Sequence, residues 1–150
     1  MKTILLTTFI IVSSFMSFAQ VIDDVELFNF SKQVGFTNLD IDGRTLYQKS
    51  DMVLFDNVVI DPDSEVIGFL SLKNPDLKIE DIYSNLVKLF GKETINKDHK
   101  PKGSSSDIYN LITLGKAKIL RIWYIKQYEV TLDYNKSGII LTSQIRKKKL

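Results

Sequence analysis

The chain has 150 residues, a formal net charge of +2 and no cysteine, and 44% of its residues are hydrophobic. This composition excludes a disordered chain, and the missing cysteine excludes disulfides, a thiol nucleophile, a cysteine-based zinc site and a lipid anchor on an amino-terminal cysteine. The near-neutral charge argues against general nucleic-acid binding, which requires a large positive field, and the length fits one domain.

The first predicted element is a secretory signal peptide at residues 1–19. The segment has one basic residue near its start, a short apolar centre and small residues at its end. Ser17 and Ala19 have the spacing of a cleavage site, so we expect cleavage between Ala19 and Gln20 and a secreted or periplasmic protein with a single domain at residues 20–150. The alternative is an uncleaved anchor, but the apolar run is much shorter than the ~20 residues of a membrane span.

A first helix is predicted from about residue 23 to residue 34, because Asp23 can cap its start and Gly35 can end it. The end of this segment, NFSKQVG, resembles the sequence NLVKLFG that begins at Asn85. The match hints at a duplication, with units over residues 20–74 and 75–147.

The string NLDIDG at residues 38–43 matches the first half of a calcium-binding loop. Asn38, Asp40 and Asp42 offer oxygen ligands at alternate positions, and Gly43 stands at the position of the turn. Lys49 stands where a carboxylate should close the site, and a lysine repels the ion. We therefore predict no metal ion and an Asp-Gly hairpin turn, and keep the three ligand residues as weak metal candidates.

Strands are predicted over residues 44–50, 52–60 and 65–73, because these runs are rich in β-branched and aromatic residues and Asp-rich turns separate them. The clearest helix follows over residues 77–91 and can end at Gly91. Its apolar residues recur at helical spacing and form one stripe; they are Ile79, Ile82, Tyr83, Leu86, Leu89 and Phe90.

The polar residues 97–107 are predicted to form a mobile loop that carries His99, the only histidine. Residues 108–114 fit either a strand or a short helix between Ser106 and Gly115. Three further strands are predicted, over residues 119–125, 128–134 and 139–146, and the second and third are joined by the turn NKSG.

Alternation along these strands assigns their aromatic residues to faces. Tyr128 and Tyr134 share a face with Val130, so both tyrosines are predicted to lie in the core. Trp123 and Tyr124 are neighbours along their strand and therefore point to opposite faces. One residue of the pair is therefore exposed. Trp123 and Tyr124 are the predicted contact residues for a protein or glycan partner.

Single helices followed by runs of strands indicate an α+β fold, with one or two helices packed on one face of an antiparallel sheet. The internal match suggests two tandem units, each a helix followed by a meander of strands.

The strings DIYSNLVKLFGK and WYIKQYEVTLDYNKSGIIL follow each other in a layout that resembles small bacterial envelope domains of the SmpA/OmlA-like type. In that family a helix precedes a three-stranded meander, and tandem pairs of such units resemble the beta-lactamase inhibitory protein fold. The resemblance covers about residues 77–146. Lys92 and Glu93 replace the usual end of the helix, and the lipoprotein cysteine is absent. The resemblance implies a binding or assembly protein without catalysis.

No catalytic residue and no cofactor are predicted. His99 lacks a fixed partner, and the carboxylate pairs are explained by helix starts and turns. The leading interpretation is a secreted or periplasmic binding protein of unknown protein or glycan partner, without nucleic-acid binding. The alternatives are a small envelope hydrolase with a carboxylate site and a membrane-proximal assembly factor. The last would use the basic end, Arg146, Lys147, Lys148 and Lys149, which is also the only predicted membrane or anion contact.

Overall fold

The computed structural model describes residues 20–73, 75–104 and 107–146. The predicted signal peptide, Ser106 and Lys147 to Lys149 lie outside the described residues. The fold is α+β, as predicted, and the described residues form an eight-stranded antiparallel sheet, a two-stranded sheet and two helices. In chain order the elements are β1 (Val21–Ile22), β2 (Val25–Glu26), β3 (Thr37–Ile41), β4 (Arg44–Ser50), β5 (Asn57–Asp61), β6 (Val66–Ser71), α1 (Pro75–Phe90), β7 (Ile95–His99), α2 (Ile108–Thr113), β8 (Lys118–Ile125), β9 (Tyr128–Asn135) and β10 (Gly138–Ile145).

The large sheet has the strand order β3-β4-β5-β6-β10-β9-β8-β7. Each half of the chain therefore forms a four-stranded meander, and the last strands of the two halves, β6 and β10, pair at the centre. We call this pairing the joint. Gly138 lies beside it, and a Cβ at Gly138 would lie 2.4 Å from the carbonyl oxygen of Ser71, so only glycine fits without a shift of the backbone.

The helix α1 forms where the apolar spacing predicts it. Pro75 begins it, at a position where the missing N–H of proline is not required. Gly91 follows it with a φ of 75°, and its N–H donates to the carbonyl of Val87 at 2.8 Å. Ile79, Ile82 and Leu86 of the predicted stripe are buried against the sheet, which confirms that the stripe is part of the core.

The predicted helix over residues 23–34 is wrong. The chain forms the β1–β2 hairpin there, followed by turns, so the matching segments at residues 29–35 and 85–91 differ in structure and the duplication stays a prediction. Asp23 and Asp24 make the hairpin turn with φ values of 54° and 63°. The Asp23 carboxylate accepts hydrogen bonds from the N–H groups of residues 53–55 at 3.0–3.2 Å, and it therefore caps a distant loop instead of a helix.

Three further local predictions need correction or completion. His99 lies at the end of β7, paired with Lys118 of β8, and not in a loop; polar residues are tolerated there because β7 is an edge strand. The predicted strand over residues 52–60 begins only at Asn57. Of the ambiguous residues 108–114, Ile108–Thr113 form the helix α2, which follows Asp107 without a side-chain cap.

The helices and the β1–β2 hairpin lie on one face of the large sheet, which we call the covered face. Trp123 donates from Nε1 to the carbonyl of Gly91 at the end of α1, Tyr134 donates to Asp76 of α1, and Ser143 donates to the carbonyl of Leu27 after the hairpin. The sheet supplies to this core Val58, Ile60, Ile67, Phe69, Ile119, Trp123, Val130, Leu132, Tyr134, Ile139 and Leu141.

Candidate functional site: the open face of the sheet

The opposite side of the sheet, which we call the open face, is covered by none of the helices and hairpins that the structure describes. Its residues alternate with the core residues along each strand, and none of them belongs to the core cluster. From β4 to β8 the open face includes Leu46, Gln48, Val59, Val66, Gly68, Leu70, Ile140, Thr142, Gln144, Glu129, Thr131, Asp133, Leu120, Ile122 and Tyr124, with Arg44, Asp61 and Lys118 towards its margins.

A row of small and β-branched residues crosses the centre of this face. Cross-strand pairing places Val59 beside Gly68, Gly68 beside Thr142, Thr142 beside Thr131, and Thr131 beside Ile122. A Cβ built on Gly68 meets no atom within 4 Å, so the space above the centre is open. The row gives the centre of the open face an uncharged surface of small side chains, which none of the described helices covers.

The polar groups of the open face bond mainly to each other within the sheet. Glu129 accepts hydrogen bonds from Nε2 of Gln144 at 3.1 Å and from Oγ1 of Thr131 at 3.4 Å. Tyr124 pairs with Glu129 in register, so it lies at the end of the neighbouring cross-strand row, which Gln144 and Glu129 form. These contacts fix the polar side chains of the face before any partner binds.

Tyr124 and Arg146 come together at one corner of the open face. Tyr124 is 38% exposed, and the Arg146 guanidinium lies 4.7 Å from the centre of its ring, in cation–π contact. The backbone N–H of Arg146 donates to the carbonyl of Gln127 at 2.8 Å. Two residues predicted separately, one as a partner contact and one as part of a basic tail, therefore form a single aromatic and cationic feature.

Trp123 is not available as a contact residue. Its side chain is 1% exposed, its Nε1 is bonded to Gly91, and its ring lies 6.2 Å from that of Tyr83 in α1. The prediction that Trp123 and Tyr124 point to opposite faces is confirmed. The assignment of Trp123 to a binding surface is corrected, because the sheet register directs it into the core.

The string NLDIDG forms the predicted hairpin turn between β3 and β4. Asp42 and Gly43 occupy the turn with φ values of 50° and 76°. Asn38 accepts a hydrogen bond from Lys32 at 2.8 Å, and Asp40 accepts one from Thr45 at 2.9 Å. Among the described residues, no group of three or more acidic or histidine side chains could hold a metal ion.

A second feature lies on the covered side, in a cleft of about 130 Å³ between α1, α2 and β8. Beneath it, Glu93 accepts hydrogen bonds from Tyr83 at 2.9 Å and Asn96 at 2.7 Å. Arg121 lies 3.7 Å from Glu93 and 2.6 Å from Asp98. Burial raises the pKa of Glu93, but its own backbone N–H, these hydrogen bonds and the Arg121 charge outweigh burial and lower it.

Sequence reasoning missed this polar cluster around the buried Glu93. Glu93 was assigned to a helix end and Asp98 to a loop, no prediction covered Asn96, and Arg121 occupies a strand position that periodicity assigns to an apolar residue. The charged residue at that inward position of β8 was the available signal.

At the mouth of the cleft the Tyr109 hydroxyl donates to Glu80 at 2.5 Å, and this bond, with burial, raises the pKa of Tyr109 to about 12.

The carboxylates do not favour acid–base chemistry. A glycosidase-type acid requires a carboxyl group with a raised pKa. In the described chain every carboxyl with a resolved pKa shift, namely Asp56, Asp61 and Glu93, is shifted downward. For Asp61, burial raises the pKa, but hydrogen bonds from Ser64 and the charge of Arg44 outweigh burial and lower it.

Comparison with protein-family models, with curated proteins and with solved structures finds no match for this chain. The resemblance to SmpA/OmlA-like domains therefore stays a prediction. In the described part of the chain, no helix has both the length and the apolar character that a membrane span requires.

Proposed function

We propose that this chain is a secreted or periplasmic binding protein without catalysis, and that it binds a protein partner through the open face. One observation carries the proposal: every described helix and hairpin packs on one face of an eight-stranded sheet and leaves the other face free. The signal-peptide pattern of residues 1–19 supports the compartment.

The dimensions of the open face support a protein partner. Eight strands at a spacing of about 4.8 Å give a width of about 38 Å, and strands of five to eight residues have lengths of about 17–26 Å. The flat area is therefore about 650–1,000 Å². A standard protein interface buries about 800 Å² on each partner, so the face has the size of one interface.

The chemistry of the face also suits a protein interface. Its centre, with Val59, Gly68 and Thr142, lacks charge, and its polar residues lie around that centre. Interface centres are depleted of charged residues, and tyrosine and arginine are enriched among the residues that dominate binding energy. The Tyr124–Arg146 pair is accordingly the proposed anchor of the interface.

The test uses the mature chain as bait in an envelope extract of the cells that produce it. Proteins that it retains are identified by mass spectrometry, purified and titrated by calorimetry. Thr142→Arg places a charge at the centre of the open face and should weaken binding at least about tenfold; Tyr124→Ala should weaken it about 30-fold, as expected for an anchor. Lys88→Glu, on the exposed side of α1, is the matched control and should bind as the wild type does.

Equal affinity of the wild type and both open-face variants would refute the proposal, as would a loss of binding confined to Lys88→Glu. If the bait still retained material from a protease-treated extract and also bound purified polysaccharide, the partner would be a glycan instead. Turnover of any substrate by the purified chain would support the hydrolase alternative.

A further inference from the structure

We propose that β3 is a self-association edge, at which two copies of this chain pair antiparallel through residues 37–41 and join their sheets. The large sheet ends in β3 on one side and in β7 on the other. The two edge strands have the same length of five residues, but they differ in how they are protected.

The edge strand β7 is better protected than β3, in which Asp40 is the only charged residue. Natural edge strands avoid pairing with other chains by carrying charged residues, lysine above all. The central residue of β7 is Lys97, whereas the central residue of β3 is Leu39, and β3 contains neither lysine nor proline. Ile41 at the end of β3 is 46% exposed. The sequence therefore leaves β3 open to a further strand.

The hairpin geometry determines which backbone groups face outward. Ile41 and Arg44 flank the two-residue turn and form a hydrogen-bonded pair, so alternation assigns the backbone of Leu39 and Thr37 to β4 as well. The N–H and C=O groups of Asn38 and Asp40 then point away from the sheet. No hydrogen bond to these four groups exists within the part of the chain that the structure describes.

One symmetric register satisfies all four groups. With Leu39 opposite Leu39 of the second copy, Asn38 of each copy lies opposite Asp40 of the other and exchanges two backbone hydrogen bonds with it. Centring the pair on Asp40 instead would place two carboxylates opposite each other, which is destabilising. Centring it on Asn38 would shorten the overlap of the strands.

The side chains fit this register on both faces. On the open face the two Leu39 side chains meet, and Ile41 lies beside Thr37 of the second copy. On the other face, Asp40 of the second copy lies beside Asn38, whose side chain already holds the Lys32 ammonium at 2.8 Å. The register therefore brings an ammonium to each carboxylate. It also extends the open face over the two joined sheets.

The interface is small, so the dimer should be weak. Four backbone hydrogen bonds and the contacts of two five-residue strands bury less than the ~1,200 Å² of a standard interface. We expect a dissociation constant between about 5 and 500 µM, and hence an equilibrium that depends on protein concentration.

Sedimentation velocity of the mature chain between about 5 and 500 µM tests the proposal. The wild type should shift from monomer to dimer over this range, and Leu39→Lys should remain monomeric, because it gives β3 the central lysine of β7. Lys97→Glu, at the equivalent position of β7, is the matched control and should dimerise as the wild type does. A wild type that stays monomeric, or a Leu39→Lys variant that dimerises equally, would overturn the proposal.

Two single-cysteine variants, Leu39→Cys and Lys97→Cys, give a second test that does not depend on the folding of Leu39→Lys. The chain has no cysteine, and opposed residues of this pair type have Cα atoms about 4.5 Å apart, within disulfide range. Under mild oxidation, Leu39→Cys should form a covalent dimer at least about tenfold faster than Lys97→Cys. Equal rates, or faster cross-linking of Lys97→Cys, would refute pairing through β3.

Discussion

Replacing Gly138 by alanine should destabilise the fold at the joint between the two halves of the sheet. Gly138 begins β10 with a φ of 117°, a backbone conformation that alanine rarely adopts. An added Cβ would also lie 2.4 Å from the carbonyl oxygen of Ser71 and 3.1 Å from the side chain of Leu72. The backbone of β6 or β10 must therefore move where the two halves of the sheet meet.

The expected loss is the sum of two terms. Holding a residue with a side chain at such a φ costs about 1–3 kcal/mol. Forcing an extra carbon into a packed backbone contact costs about 1–3 kcal/mol more. The sum of about 2–6 kcal/mol is a large share of a domain's free energy of unfolding, which is typically about 5–15 kcal/mol. At about 4 °C for each kcal/mol, Gly138→Ala should lower the melting temperature by about 8–24 °C.

Urea unfolding followed by tryptophan emission measures this loss, because Trp123 is the only tryptophan and is 1% exposed in the folded chain. Gly68→Ala is the matched control on the partner strand. Its φ lies outside the left-handed region and its added Cβ meets nothing within 4 Å, so it should raise stability by about 0.4–1 kcal/mol.

The two substitutions should therefore have opposite signs. If Gly138→Ala unfolded at the urea concentration of the wild type, the close approach to Ser71 would be wrong. If Gly68→Ala lost more than about 1 kcal/mol, something would cover the centre of the open face.

Three further predictions concern the core, the polar cluster and the turn. Leu86→Ala should cost about 2–5 kcal/mol because Leu86 is fully buried, whereas exposed Lys88→Ala should change stability by at most about 0.5 kcal/mol in urea unfolding. The pKa of Glu93 is lowered in the folded chain from its ordinary 4.5, so its contribution is present above that pH and lost as pH falls through the folded value. Glu93→Gln should cost about 1–3 kcal/mol at pH 7, and this difference from the wild type should shrink in urea titrations as the pH falls below 4.5. Millimolar Ca²⁺ should leave the melting temperature unchanged; a rise that Asp40→Ala abolishes would contradict the turn assignment.

The elements that sequence predicts well are those whose signal is local. The stripe from Ile79 to Leu86 and the alternation from Tyr128 to Tyr134 repeat the periods of a helix and a strand, and both elements form as predicted. The Asp42-Gly43 turn is likewise a two-residue property. In these segments the intrinsic preference of the chain and its tertiary surroundings agree.

The predictions that failed depend on contacts between distant residues. Asp23 has the local pattern of a helix cap, but its carboxylate bonds the backbone of residues 53–55 and its φ is positive. His99 lies in a polar segment that forms a strand only because β8 offers a free edge. Arg121 is partly buried at an inward position of β8, where Glu93 and Asp98 neutralise it. No periodicity encodes these pairings.

The binding proposal depends on both halves of the chain. A four-stranded half is only about 19 Å wide, which gives about 320–500 Å² of open face and falls short of the ~800 Å² that each partner contributes to a standard interface. The central row passes from Gly68 on β6 to Thr142 on β10, across the joint. The open face reaches the size of a standard interface only because β6 and β10 pair at the joint. The pairing that completes the sheet therefore also provides enough surface for a protein partner.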